Sequence, residues 1–343
     1  MPGVAASTDS GVSHDEFYVL GWSKGYLGFT SAYGGAIGKM QGLLVTSSAD
    51  GLRWRSSGRL DFGSDDSNVV VTQVVEGPAG LLATAEWAGC ALHKPAVRMW
   101  RSADGTSWTP VDLARVFGAD SLPSVSGGSA GYIVLAATGK QRTVWTSGDG
   151  ASWHKSAVPT GGFGAQSVAS FQGGFVVAGT TRALSPYCVQ SASGPYVGSV
   201  WSSAHGSPWT SAKLPNVLVG ADTTMSVYRL NDETVLADEV ATGGTTQRRA
   251  WTSSDGLTWQ QNDALGGFQA TPLTDGTRTV FAASTDQGQS EIWTLTHDLR
   301  LVKLSAGTDV PIAGPDSQVA LGPAGIVVAD SSGATSWLGV PVP

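Results

Sequence analysis

Short apolar runs, most of them preceded by a glycine turn, recur along this chain. They read Tyr26-Leu27-Gly28-Phe29, Leu81-Leu82-Ala83-Thr84, Tyr132-Ile133-Val134-Leu135, Phe175-Val176-Val177-Ala178-Gly179, Thr234-Val235-Leu236-Ala237, Val280-Phe281-Ala282-Ala283 and Ile326-Val327-Val328-Ala329. Runs of this length bounded by turn residues read as buried strands. In residues 165–215 the pattern around one run is complete. Ser167–Phe171 alternates, Gln172-Gly173-Gly174 turns, the apolar run follows, and a long loop leads to Ser199–Ser203. A tight turn then delivers Trp209–Lys213. The order strand, turn, strand, loop, strand, turn, strand predicts a four-stranded antiparallel meander.

One phrase marks the last turn of each unit. It appears as Ser48-Ala49-Asp50-Gly51-Leu52-Arg53-Trp54 and returns at Trp100–Trp108, Trp145–Trp153, Trp201–Trp209 and Trp251–Trp259. A worn copy spans Trp293–Leu301, and Trp337 opens another. His205 and His297 stand in the acidic place of their copies. The spacing, roughly 42 to 56 residues, is that of propeller blades. Asp50, Asp104, Asp149 and Asp255 are expected to accept hydrogen bonds from backbone N–H groups of the turn. The following glycine supplies a positive φ, and the tryptophan packs its indole between neighbouring sheets.

Seven copies predict a single all-β domain over 1–343, a seven-bladed β-propeller of four-stranded antiparallel blades. The expected blades are 14–62, 66–113, 120–159, 165–215, 222–263, 267–305 and 316–343, the last joined by 2–12. The last copy stops after a third strand, and an open ring would leave an unpaired edge. Some part of 2–12 is therefore expected to supply the fourth strand and close the ring.

The phrase resembles the BNR or Asp-box repeat of sialidase-like propellers, usually Ser-x-Asp-x-Gly-x-x-Trp. Here it is one residue shorter, with Gly directly after Asp. As architecture the resemblance covers nearly the whole chain. It implies that the box is a structural turn on the face opposite an active site. Sialidases also carry an Arg triad, a Tyr-Glu pair and an early Arg-Ile-Pro phrase. No Arg here sits in Arg-Ile-Pro, which argues against sialidase activity proper.

Composition narrows the partners. The net charge of -7 and the lack of a Lys/Arg run disfavour nucleic acid. No apolar stretch is long enough for a membrane-spanning helix. Met1-Pro2-Gly3-Val4 lacks the basic and apolar regions of a secretory signal. That fits a cytosolic protein or a mature exported one behind a new Met. The Ser/Thr/Gly-rich, Lys-poor composition favours export or the cell envelope. A monomer without cofactor is expected. The five His are scattered with no metal-ligand spacing, and no nucleophile elbow, phosphate loop or dinucleotide fingerprint occurs.

Three features mark the face away from the boxes. The long loops 86–98 and 181–199 hold the two cysteines, Cys90 and Cys188, as a candidate disulfide or as two separate thiols. Trp87 and Trp22 are the tryptophans off the repeat register, Trp22 reading as core. Trp87 and His93 lie in one loop with Tyr187 and Tyr196 in the other, a platform for sugar rings or loop residues packing on each other. Acidic residues recur where the innermost strand begins, at Asp66, Asp120, Asp222 and Asp316, with Gln166-Ser167 in the same place. They read as turn caps, or as a carboxylate ring for acid/base work together with Glu86. Arg98, Arg248 and Arg249 are expected in loops of that face, where they could bind an anionic ligand or stand solvated. Three functions follow: binding of a carbohydrate or envelope partner, glycoside hydrolysis or lysis, and a protein-interaction scaffold.

Overall fold

The computed structural model describes residues 13–34, 39–61, 69–87, 97–156, 158, 163–182, 196–220, 222–242, 246–266, 270–284, 290–304, 318–329 and 336–339. Its strands form a succession of antiparallel meanders. The first sheet is β1 (Ser13–Trp22), β2 (Gly25–Gly34), β3 (Lys39–Ser48) and β4 (Arg55–Leu60). The second is β5 (Val69–Gly77), β6 (Gly80–Trp87), β7 (Val97–Ser102) and β8 (Thr109–Pro110). A helical turn, α1 (Leu113–Val116), precedes β9 (Ser121–Gly128), β10 (Gly131–Thr138), β11 (Gln141–Ser147) and β12 (His154–Ser156). The fourth sheet is β13 (Phe163–Phe171), β14 (Gly174–Arg182), β15 (Tyr196–Ser203) and β16 (Thr210–Ala212), with β17 (Val219–Gly220) also pairing β15. The fifth is β18 (Asp222–Arg229), β19 (Val235–Thr242), β20 (Gln247–Ser253) and β21 (Gln260–Gln261). After α2 (Asp263–Gly266) come β22 (Pro272–Thr274), β23 (Thr279–Ser284), β24 (Ser290–Leu295) and β25 (Leu301–Lys303). The last sheet is β26 (Gln318–Gly322), β27 (Gly325–Ala329) and β28 (Ser336–Gly339).

The expectation of seven four-stranded blades is corrected by this topology. Six sheets carry the four-stranded meander, and the last carries three strands among the described residues. β28 pairs β27 on one edge and meets no described strand on the other. The proposed closing segment 2–12 lies outside the described residues.

The strands fall into two compact units. One comprises Met1–Leu113 with Ala270–Pro343, and the other Ala114–Gln269. In the first unit β1 packs between β5 and β26, and β26 packs on β22. The approach is close: a Cβ on Gly21 of β1 would stand 1.8 Å from the Leu321 carbonyl oxygen of β26. In the second unit β13 packs between β9 and β18. Second strands form the dry layers, as the unbroken burial of Tyr132–Ala137 shows. Trp22 is buried in the core around β1, β2 and β6, as the sequence reading expected.

Adjacent first strands in the second unit are stitched by side chains. The Ser124 and Ser126 hydroxyls accept the Val168 and Ser170 N–H groups, each at 3.1 Å. One sheet further, the Gln166 amide oxygen accepts Met225 N–H at 2.6 Å, and the Ser167 hydroxyl accepts Val227 N–H at 3.1 Å. These first strands cannot pair as a ladder, so side-chain oxygens satisfy their exposed donors. A β-bulge at Gln166, between Ala165 and Ser167, locally bends the strand there. Gln166 and Ser167 are thus inter-sheet ties, not turn caps entering the strand.

Candidate functional site

The signature turns are built alike. In each of the copies at Asp50, Asp104, Asp149 and Asp255 one carboxylate oxygen accepts the serine hydroxyl two residues before it. The same oxygen accepts the N–H groups two and three residues after it, at 2.6–2.9 Å. The glycine sits at positive φ, 74° at Gly51, where a side chain would be strained. The indole N–H of Trp54, Trp108 and Trp259 returns to that glycine's carbonyl. In the copy at Trp293 the turn slides by one residue. Thr296 and Asp298 pair at 2.6 Å, and Leu299 takes the positive φ of 59°. His297 therefore does not replace the acid there, as the tryptophan spacing suggested.

Hydrogen bonds from Ser152 and Ala151 hold the Asp149 carboxyl well below the ordinary carboxylate range. Asp104 is held low in the same way by Ser107 and Thr106. For Asp255, burial pushes the value up, but the Thr258 and Leu257 N–H groups outweigh it and bring it to about 2. A depressed folded value gives stability that is full above the unfolded value near 3.9 and lost as pH falls through the folded one. Asp149→Ala is expected to cost about 1 kcal/mol at neutral pH. Urea melts should show that gap narrowing below about pH 4; a gap constant down to about pH 2 would contradict the assignment.

The fifth sheet departs from its siblings at the end away from its turn. Asp238 and Glu239 of β19 align through the cross-strand register with Thr84-Ala85, Leu135-Ala136, Ala178-Gly179 and Ala282-Ala283. Where other sheets place small or apolar residues, this one places two carboxylates. Glu239 lies directly opposite Arg249 and Met225, and Arg248 opposes Val240. Successive strand residues point to opposite faces, so the two carboxylates cannot face one another.

Glu239 is fully buried. Its oxygens accept Gly198 N–H of β15 at 3.0 Å and Leu218 N–H at 2.7 Å. Burial pushes its carboxyl up, against those two N–H groups and the Arg249 charge, while neighbouring Asp238 adds to the rise. Gly198 makes the room: a Cβ there would meet the Met225 sulfur at 2.5 Å and Glu239 Oε1 at 2.6 Å. On the other face Asp238 Oδ2 stands 3.8 Å from an Arg248 guanidinium nitrogen. Burial raises the Asp238 carboxyl and Arg248 opposes the rise. The Arg248 Nε is buried without a partner among the described residues.

The structure brings some of the expected site residues together and not others. Arg248 and Arg249 are half-buried beside Asp238 and Glu239. Tyr196, also half-buried, begins β15 on the neighbouring sheet, where its carbonyl accepts the Thr223 hydroxyl. Asp120 is exposed just before β9, and its N–H donates to Ala137. Asp222 opens β18 opposite Thr242. Glu86, half-buried, and Arg98, exposed, lie at the matching end of the second sheet, opposite Val97 and Ala85. Trp87 closes β6. Asp66, Asp316, His93, Tyr187, Cys90 and Cys188 lie outside the described residues. Asp238 and Glu239 were missed. Registering the repeats by their tryptophans and looking for charge in the apolar second strand would have found them.

Among the described residues no group of three or more His, Cys, Asp or Glu could hold a metal ion, and no helix is long and apolar enough to cross a membrane. No protein-family model and no curated protein matches the chain. Solved structures do. The chain is similar to the β-propeller domain of the trilobed protease from Pyrococcus furiosus, with a TM-score of 0.53 and 8% identity over 95% of this chain and 94% of that one. That likeness shows the fold. It is a β-propeller. A protein of unknown function from Dyadobacter fermentans matches over 99% of this chain and 94% of its own, at 14% identity and TM-score 0.46. A Trypanosoma rangeli sialidase in complex with the inhibitor DANA matches over 93% of this chain at 13% identity and TM-score 0.40. The chain covers about half, 52%, of that sialidase.

Proposed function

We propose that this propeller is an exported or cell-envelope binding protein that engages a carbohydrate or envelope partner at the sheet ends away from the Asp-Gly turns. One observation carries the reading: at that end two carboxylates on β19, Asp238 and Glu239, replace the small and apolar residues of the sibling second strands, with Arg248 and Arg249 of β20 beside them. Arg248 and Asp238 there offer donors and an acceptor to a polyhydroxylated or anionic ligand, and Tyr196 on the next sheet offers an aromatic ring. Binding is favoured over hydrolysis because a glycosidase needs two carboxyl groups flanking the scissile bond. Asp238 and Glu239 lie on opposite strand faces, and both Glu239 oxygens are occupied by backbone N–H groups.

The test is binding to immobilised glycans and to isolated envelope fractions, with release of reducing ends measured in parallel. Wild type is expected to bind without turnover. Arg248→Gln is expected to weaken binding by about tenfold, or about 1.4 kcal/mol, with a melting temperature near that of wild type. Release of reducing sugar, or binding unchanged by Arg248→Gln, would count against the proposal.

A further inference from the structure

The fourth signature turn, Ser203–Trp209, lacks what its siblings share. His205 occupies the Asp place, and Pro208 occupies the place of the third donor, with no N–H to give. The turn keeps its form by a different route. Gly206 still takes a φ of 83°. Ser156, from β12 of the neighbouring sheet, donates to the Gly206 carbonyl and accepts the Trp209 indole N–H at 2.6 Å. The sibling indoles of Trp54, Trp108 and Trp259 instead reach their own glycine carbonyl.

One donor is left over. In the siblings at Ser48, Ser102, Ser147 and Ser253 the serine hydroxyl donates to the aspartate. Ser203 holds the same register place on β15 that Ser147 holds on β11. It is 5% exposed, and its hydroxyl has no partner among the described residues. A buried hydroxyl without a partner is uncommon and calls for a missing one. The Ser207 N–H corresponds to those of Leu52, Thr106, Ala151 and Leu257, each of which donates to the sibling aspartate. His205, Ser207 and Pro208 are exposed around the turn, whereas the Ser203 hydroxyl beneath them is covered, so an incoming carboxylate reaches it as these surface residues part.

We propose that the turn 203–209 binds a carboxylate supplied from outside the chain, one oxygen taking the Ser203 hydroxyl and the Ser207 N–H. The carboxylate completes in trans the arrangement that Asp50, Asp104, Asp149 and Asp255 complete in cis. A small organic acid and the acidic side chain of another protein share this chemistry. The site stands apart from the one at the far sheet ends and does not depend on it.

The test follows the Ser207 amide resonance of the full chain by heteronuclear NMR at matched ionic strength. The probes are acetate and, separately, an N-acetylated, C-amidated Gly-Asp-Gly peptide. A saturable shift is expected below about 0.1 M. Saturation by acetate assigns a small acid, and saturation by the peptide alone assigns an acidic side chain. His205→Asp places the chain's own carboxylate in the site and is expected to weaken the response by more than about tenfold, with no loss in melting temperature. Ser203→Ala removes one donor that the fold itself does not use, and is expected to weaken the response while leaving the melt unchanged. No saturable shift with either probe, or an equal response in His205→Asp, would overturn the proposal.

Discussion

Trp251→Ala is expected to lower the unfolding free energy by about 3–5 kcal/mol, the range for deleting a fully buried large aromatic. Trp251 has no exposed surface and packs in a core with Val176, Leu214, Val235 and Trp259. Its indole N–H donates to the Pro215 carbonyl at 2.8 Å. Trp201 stands in the same repeat position but is half-buried, and its indole N–H has no partner among the described residues. The two sites should therefore respond differently. Trp251→Phe should lose about 1 kcal/mol with its hydrogen bond, whereas Trp201→Phe removes an unpaired buried donor and should cost less. Urea melts of the three variants decide it, and equal losses for the two Phe substitutions would reject the ranking.

Glu239→Ala is the second large effect, at about 2–5 kcal/mol. The substitution strips acceptors from two N–H groups at once, Gly198 on β15 and Leu218 in the segment that leads to β17. It also leaves the facing Arg249 without its opposite charge. The pH dependence carries the sign of the shift. Burial raises the Glu239 carboxyl in the folded state, so its contribution is full below the unfolded value and declines as pH rises through the folded one. Alanine has no such dependence. The deficit should widen as pH is lowered toward the ordinary carboxylate range. A deficit that instead shrinks on acidification would show that the two N–H bonds outweigh burial.

The parts of this fold legible in the sequence are those held by near neighbours. In the turns at Asp50, Asp104, Asp149 and Asp255 the aspartate bonds residues two and three positions away, so the whole device is written in seven consecutive letters. The alternating and apolar runs around them likewise gave the meanders. What escaped was held over distance. The Glu239 ties span 41 and 21 residues, and the Ser156–Trp209 tie spans 53. The Thr296–Asp298 turn escaped for another reason. Its hydroxyl and carboxylate keep their mutual spacing, but leucine replaces the glycine that a positive φ normally demands, at a cost of about 1–2 kcal/mol. The blade count failed at β28, whose outer edge no described strand fills, a matter of pairing that periodicity does not reach. Of the candidate site, Arg248 and Arg249 were named from the sequence as loop residues, whereas they lie in strand β20, and Asp238 and Glu239 beside them hid inside an otherwise apolar run.

The vacancy at Gly198 sets a limit on modular exchange in this molecule. Any side chain there would strike the Met225 sulfur and the Glu239 carboxylate, so the fourth and fifth meanders are matched halves of one joint. A chimera that transplants β18–β21 behind a different neighbour would carry a buried carboxyl group with no backbone N–H to receive it. Swapping both meanders as a pair keeps the joint intact, and that pair is the smallest cassette recombination could move here.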